Sequence, residues 1–550
     1  MGKRAEITLQ TMLRSSIIGL SYSFSFMLVF VLILAGRIKP NEELTREDIL
    51  AAAGIAVTML SMVATFSYSG LYSIGMIVSN LYGRLNTNRN ANALLINEQG
   101  SPLPESYNAE APTTAEALRT EIEHTLHAGL LGSTLVAIPA TSVLYFSGDI
   151  LRACGQSEKI AYLAQDFLRA YSFAIFFLVW RICLEIVALS FKIRLPLMAI
   201  ALTNFTIGTG LAYLLCFGYS NDDNSLTITN TSDNSGMEIQ PSGMVGIGRG
   251  YFFETLLTCG SYAVYLAHAK AFKDFHFFKN FRFGQEARRK IMEKITAIVK
   301  RGWTIELNFV SEAIALWAVG LFTTFLGPNE QAAFTLCSSF YFFAVIFFLA
   351  CGQYITQQLA AFITGKQYSD VILQTRYGLL GTNLLFLLPC IAVAVYPELL
   401  QWITTNAELN PEILQMLTYL GPLISLIVLL DVNGYGLLAS IRSMQEKPAD
   451  NFRTNILPTM VSFAGTCSGL VAAYGLSETT IYGLMGGYAG GLGLRLASLT
   501  YLWMREINRI KAKIPETELP TELSLLLPAR ELNPPTCSCD CSSLFQRTPN

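Results

Sequence analysis

Apolar positions gather into twelve long runs, roughly 15–36, 50–80, 126–146, 162–190, 195–218, 247–272, 301–326, 331–364, 371–397, 411–438, 453–474 and 479–504. A helix needs about 20 residues to cross a ~30 Å hydrocarbon core, and each run is of that order or longer. The pattern predicts an all-α, polytopic membrane protein of twelve transmembrane helices. The first run follows Lys3, Arg4 and Arg14 and ends at Leu34-Ala35-Gly36, an order of basic, apolar and small residues that a signal peptide shares. At about twenty residues it exceeds the 7–15 of a signal h-region, so it is read as a retained helix.

Polar stretches divide the runs. Residues 84–116, rich in Asn, Ser, Pro and Glu, predict a flexible insert. Thr113 and Glu116 have the spacing of a capping box that opens the helix entering the third run. A cut near residue 301 exposes a weak repeat: Arg181-I-C-L-E-I-V-A-L-Ser190-F-Lys192 lies over Asp431-V-N-G-Y-G-L-L-A-Ser440-I-Arg442, with Pro196 and Pro448 following. The expected organisation is an N-terminal lobe 1–268, a basic linker 269–300, a C-terminal lobe 301–504 and a tail 505–550 expected to be disordered. Two lobes that start on the same side are parallel repeats about an axis along the membrane normal.

Composition agrees: 52% of the 550 residues are hydrophobic and 14% charged, too apolar for an ordinary soluble domain. Net charge is −2 and decides nothing, but the placement of the charges does. Residues 269–301 hold ten Lys or Arg against three acids, whereas 219–247 hold no Lys or Arg. By the positive-inside rule both termini and the linker are expected in the cytoplasm, in a plasma or inner membrane. The basic linker is read as facing anionic lipid head groups rather than nucleic acid. Eight of eleven cysteines stand singly in or near the runs and are read as packing residues. Cys537, Cys539 and Cys541 form a cluster in the tail, for which metal binding or S-acylation is the alternative to no structural role.

Charges inside apolar runs are the candidate chemistry, because a carboxylate at mid-bilayer is penalised by roughly 2.5–3.5 kcal/mol on insertion scales. The seventh run carries Glu306 and Glu312, and the tenth carries Asp431. Six residues apart on a helix, Glu306 points about 120° away from Glu312 and lies nearer the cytoplasmic end. Arg181 and Glu185 share a face of the fourth run as an internal ion pair or as cavity-lining groups. Arg181 is read as the only arginine deep in a helix. Gln353, Gln357 and Gln358 add polar groups to the eighth run. No His-rich metal motif, nucleophile elbow or phosphate loop accompanies them, so an enzyme is not expected. G-I-G-R-G at 246–250 follows no strand and opens a membrane run, so it is read as packing.

These residues resemble the multidrug and toxic compound extrusion (MATE) family, of the multidrug/oligosaccharidyl-lipid/polysaccharide flippase superfamily. Glu312 stands fifteen positions before Gly327, like the acid of the family's seventh helix before its Leu-Gly. Asp431 stands eleven before Arg442, like the acid of the tenth helix before an Arg-Gly, although Ser443 replaces that glycine. Residues 150–171 and 244–266 are similar to the segments at the family's fourth and sixth helices. The resemblance implies a monomeric antiporter that exports amphipathic, often cationic small molecules by alternating access. Glu312 and Asp431 would hold the coupling ion, Na+ or H+, with no other cofactor; Glu306, Gln353, Gln357, Arg181 and Glu185 are candidate cavity-lining residues. The first run has no acid, which disfavours the amino-lobe proton mechanism of one prokaryotic branch. A lipid-linked-precursor flippase of the same superfamily is the alternative reading, and it calls for a more cationic cavity.

Overall fold

The computed structural model describes residues 2–20, 23–39, 44–97, 114–218, 242–278, 285–364, 368–404, 410–444, 456–461, 463–468, 471 and 480–512. Among them no strand occurs, and the helices are α1 (Gly2–Gly19), α2 (Ser23–Ala35), α3 (Arg46–Tyr68), α4 (Tyr72–Asn97), α5 (Ala115–Tyr145), α6 (Ser147–Ala153), α7 (Glu158–Tyr171), α8 (Ala174–Ser190), α9 (Leu195–Phe217), α10 (Gly243–His268), α11 (Gln285–Thr324), α12 (Pro328–Thr364), α13 (Tyr368–Val395), α14 (Glu398–Thr404), α15 (Pro411–Met444), α16 (Ile456–Ser468) and α17 (Ile481–Lys511). Seven of these are long and apolar enough to cross a membrane by themselves, eight if α7 and α8 count as one bent span. α10 and α17 fall outside that number, and each carries glycines together with buried charge.

Several boundaries differ from the sequence expectation. The first run begins as early as Gly2 and is split between α1 and α2. The second is interrupted by a single 3₁₀ turn, Ser69–Leu71, and its helix continues to Asn97 through the expected insert; 98–113 lie outside the described residues. The cap of α5 is Thr114, whose Oγ1 accepts from the Ala117 amide at 3.3 Å, one residue after the cap expected. The fourth run is two helices meeting at 54°. The second half of the linker is the first part of α11, continuous with its apolar part, because Gln285 to Lys300 contains no Gly or Pro to break it. The tail is helical as far as Lys511, and the cysteine cluster falls outside the described residues, as does nearly all of 219–247. Of the eight lone cysteines all are free and six are buried.

The repeat is legible in the helices themselves. α5 and α13 each contain a proline six residues before their last residue, Pro139 and Pro389, and each is followed by a seven-residue helix. The same 250-residue interval separates Arg181 from Asp431. α10 and α17 repeat at 241 residues, which places Gly246 over Gly487, Gly250 over Gly491 and Glu254 over Arg495. The glycines serve packing: a Cβ at Gly250 would run into Ala212 of α9, and Gly491 lies against Gly465 of α16.

Within one half α10 packs on α7, α8 and α9; within the other α15 packs on α12, α13 and α17. The halves meet along α3, which lies against α11 and α12, and along α1, which lies against α12 and α13. They touch at both ends. At the end bearing the Gly327 turn Gln156 donates to Thr324, and at the linker end the Ser73 hydroxyl donates to the Ile298 carbonyl at 3.2 Å while Lys294 pairs with Glu121.

Candidate functional site

Three helices of the C-terminal half bring three charges to one point. α11 supplies Glu312, α15 supplies Asp431 and α17 supplies Arg495, at 9%, 1% and 2% exposure, so bulk water solvates none of them. Arg495 Nη1 donates to Glu312 Oε2 at 2.7 Å and to Asp431 Oδ1 at 3.1 Å. Two tyrosines complete the cluster. The Tyr435 hydroxyl donates to Glu312 Oε2 at 2.9 Å, and the Tyr341 hydroxyl to Asp431 Oδ2 at 2.6 Å. Tyr341 also lies 3.4 Å from Glu312 Oε1, but its single proton is spent on the shorter contact.

Aromatic packing fixes this geometry. The Tyr435 ring stacks on Phe348 at 4.8 Å and lies tilted against Phe309 at 5.3 Å, and the Arg495 guanidinium carbon stands 4.9 Å from its centroid. Arg442 lies against the Phe309 ring, 5.9 Å from its centroid, three turns along α15 from Asp431. The guanidinium end of Arg495 lies over Gly434 of α15, where a Cβ would sit 3.9 Å from its Cζ and Nε. One guanidinium for two carboxylates leaves the triad one negative charge if all three are ionised. An uncompensated charge buried this deeply costs several kcal/mol.

Glu312 and Asp431, from separate runs, are thus brought together as expected, whereas the other candidates lie elsewhere. Glu306 is half-buried against Gly70 of the 3₁₀ turn in the opposite half. Gln353 is half-buried on α12, about 18 Å along the axis from Tyr341 at 1.5 Å per residue. The side chain of Gln357 lies outside the described ones. Arg181 forms a second buried pair across to α10, its Nη1 standing 3.8 Å from Glu254 Oε1. Glu185 is equally buried one turn along, and its charge acts on the same guanidinium. Glu254 accepts from Thr258 at 3.1 Å and Thr255 at 3.2 Å. Among the described residues no group of three His, Cys, Asp or Glu is arranged for a metal.

The reading of Arg181 as the sole deep arginine is corrected: Arg495 is as deeply buried. It stands ten residues before Arg505 in a glycine-rich run. Glu254 stands between the aromatic Phe252-Phe253 and Thr255. Each is a charge inside an apolar run, as Glu312 is.

Residues 117–214, which span most of α5 through α9, match the family model described as MatE. The chain is similar in structure to the eukaryotic MATE transporter AtDTX14, with a TM-score of 0.66, 15% identity and coverage of 93% of this chain and 99% of that one. The family match covers part of the chain, and the fold over nearly all of it is that of the MATE transporters. The chain is also similar to a multidrug resistance MATE transporter of the MOP superfamily in its inward-facing conformation (TM-score 0.61, 14% identity, 92% and 98% coverage). A MOP superfamily transporter from Pyrococcus furiosus gives a TM-score of 0.61, 15% identity and 93% and 96% coverage. None of the curated proteins matches the chain in sequence. At such identities the structures establish the fold alone, twelve helices in two lobes, that of a multi-pass membrane protein.

Proposed function

We propose that this chain is a cation-coupled MATE antiporter that exports amphipathic, often cationic small molecules, and that Glu312 and Asp431 hold the coupling ion, Na+ or H+. The observation that carries the reading is the buried triad, in which two carboxylates and one guanidinium leave a charge that a single small cation neutralises. Loading the site discharges it, and a neutral cluster passes through a low-dielectric interior at far lower cost than a charged one. Both buried arginines face acids, Arg495 Glu312 and Asp431, Arg181 Glu254, so neither stands as an open cationic basin for a lipid diphosphate. This favours the exporter over the flippase.

In the expected orientation the linker end, with both termini, faces the cytoplasm, and the lobes rock about α1, α3, α11 and α12 to expose a central path to each side in turn. One positive charge moving inward down ~100 mV yields about 2.3 kcal/mol. That sustains roughly a 50-fold gradient of a neutral substrate, since each ~1.4 kcal/mol is tenfold. The test is efflux of a fluorescent cationic dye from proteoliposomes under imposed sodium or proton gradients. Efflux driven by one gradient and stopped by the matching ionophore is expected; efflux indifferent to both would overturn the reading.

A further inference from the structure

We infer that Arg495 is a tethered counter-ion, which fills the cation seat between Glu312 and Asp431 whenever the coupling ion is absent and exchanges places with that ion during transport. The inference rests on the coupling role of the two acids argued above and adds the residue that competes for them. Occupancy is the first ground. Three of the four carboxylate oxygens are engaged: Glu312 Oε2 by Arg495 and Tyr435, Asp431 Oδ1 by Arg495, and Asp431 Oδ2 by Tyr341. A small hard cation gathers several oxygens around itself, so it cannot be seated here until Nη1 withdraws from both acids.

The grip of Arg495 suits withdrawal. Arginine–carboxylate pairs are frequently bidentate, with two parallel N–H···O bonds that fix the guanidinium on one acid. Arg495 contacts both acids through one nitrogen, while its Nε and Nη2 are buried without a hydrogen-bond partner among the described residues. Two donors are therefore unspent and available to a second set of acceptors. The guanidinium end lies over Gly434, so no side chain of α15 blocks its movement there, and the Tyr435 ring, 4.9 Å from the guanidinium carbon, holds the cation by a contact that does not depend on the acids.

The repeat supplies an independent ground. The position equivalent to Arg495 in α10 is Glu254, on a helix with the same glycine spacing. An arginine there is thus no requirement of the helix packing that both lobes share. With Arg495 in the seat the carboxylates are partly neutralised and the site is closed to other cations. When an ion enters, it takes the seat and Arg495 swings clear of both oxygens but stays beside the acids, so the ion's charge adds to that of the guanidinium, the cluster is neutral, and the two carboxylates are at no point left bare in the membrane.

The test uses the full-length protein with Arg495→Gln and Arg495→Lys, the second keeping a charge but losing the guanidinium's reach to both acids. Cation affinity is read directly, by radiolabelled Na+ binding in detergent and, in a parallel arm, by proton uptake after an acid pulse with a pH-sensitive dye. Without its competitor the site in Arg495→Gln should bind whichever ion is the coupling ion about ten- to a hundredfold more tightly, the range expected for losing charge-assisted hydrogen bonds. Arg495→Lys should fall between Gln and the native protein, and gradient-driven dye efflux should drop in both. Should Arg495→Gln fail to yield a monodisperse, cooperatively melting protein, the affinity of Arg495→Lys decides. Unchanged affinity for both ions in a folded Arg495 variant overturns the inference, provided that Glu312→Gln abolishes gradient-driven efflux. Full efflux in Glu312→Gln would instead sink the coupling reading itself.

Discussion

Glu254 of α10 and Arg495 of α17 occupy equivalent positions of the two lobes and carry opposite charges, and each faces a partner of the complementary sign on the preceding equivalent helix, Arg181 of α8 and Asp431 of α15. The lobes share a buried ion pair but invert it. In the C-terminal lobe the pair is joined by a third charge, Glu312, and by two tyrosines that hydrogen-bond the acids. In the N-terminal lobe the threonines of α10 hold Glu254, and its guanidinium partner stands farther off, at 3.8 Å. The two lobes are therefore built alike and charged differently, which suits one lobe to ion exchange and the other to a lasting pair.

A lasting buried pair shows itself through stability. Arg181→Met leaves Glu254 facing apolar surroundings, and removing one partner of a buried pair costs about 3–5 kcal/mol. Thermal unfolding in detergent should fall sharply for Arg181→Met and for Glu254→Leu, and recover in large part in the double variant. Additive losses in the double variant would mean that the two residues do not depend on each other.

The acids of the C-terminal lobe should behave otherwise. Glu312→Gln and Asp431→Asn keep shape and most hydrogen bonds while removing the charge that one cation neutralises, so each should fold, reach the membrane and lose gradient-driven efflux by at least ~100-fold, as a difference of ~2.8 kcal/mol implies. Near-normal efflux in both single variants at normal expression would place coupling elsewhere, with Glu185 the next candidate.

Much of this arrangement was legible in the chain. Glu312 and Asp431 stood out because a carboxylate amid apolar residues has few inexpensive explanations, and their spacing to Gly327 and Arg442 placed them in a known family pattern. Arg495 did not stand out, because an arginine near the end of a run looks like the interfacial basic residue that membrane helices commonly carry. Burial decides between the two, and burial depends on α15 turning Gly434 toward α17, a tertiary fact that no local pattern encodes. The bend between α7 and α8 was invisible for a similar reason, since no proline or glycine occurs from Leu168 to Trp180 to signal it. The prolines Pro139 and Pro389 repeat through their spacing to the helix end, which the structure shows and the flanking residues do not.

Tyr341 gives a graded test of the same cluster. Its hydroxyl donates to Asp431 at 2.6 Å, and a hydrogen bond to a charged group contributes about 1.5–3 kcal/mol. Tyr341→Phe removes the donor and leaves the ring, so Asp431 becomes a better ligand for an incoming cation and a poorer one to empty. Cation affinity should rise by about tenfold or more, while the turnover of dye efflux falls in the same variant. A variant with native affinity and native turnover would show that Tyr341 is a packing residue only.

Orientation is open to a direct test. Epitope tags inserted in 274–298 or appended after Asn550 should be reachable from the cytoplasm, and one in 222–243 from outside, because Lys and Arg crowd the first segment and are absent from the last. Tag accessibility with the opposite sidedness in intact cells would invert the model and with it the direction of export.

Rocking of the lobes makes a demand on the contacts between them. At the Gly327 end Gln156 donates to Thr324 and Gly155 lies against Phe325; at the linker end Lys294 pairs with Glu121. Contacts cross between the lobes at both ends in this structure, so rocking requires each set to part in turn, and a covalent bridge at either should stop transport. Cysteines at 156 and 324, in a background with Cys154→Ser because that free cysteine is two residues away, place one lock; cysteines at 121 and 294 place the other. Bridging with a short bifunctional reagent should reduce dye efflux to the rate of empty vesicles in each double variant, and cleavage of the bridge should restore it. Single-cysteine variants treated in the same way control for simple blockage. If the lobes stayed fixed and substrate moved past side chains alone, the bridged protein would transport at the unbridged rate, and that outcome at either end would rule out rocking there.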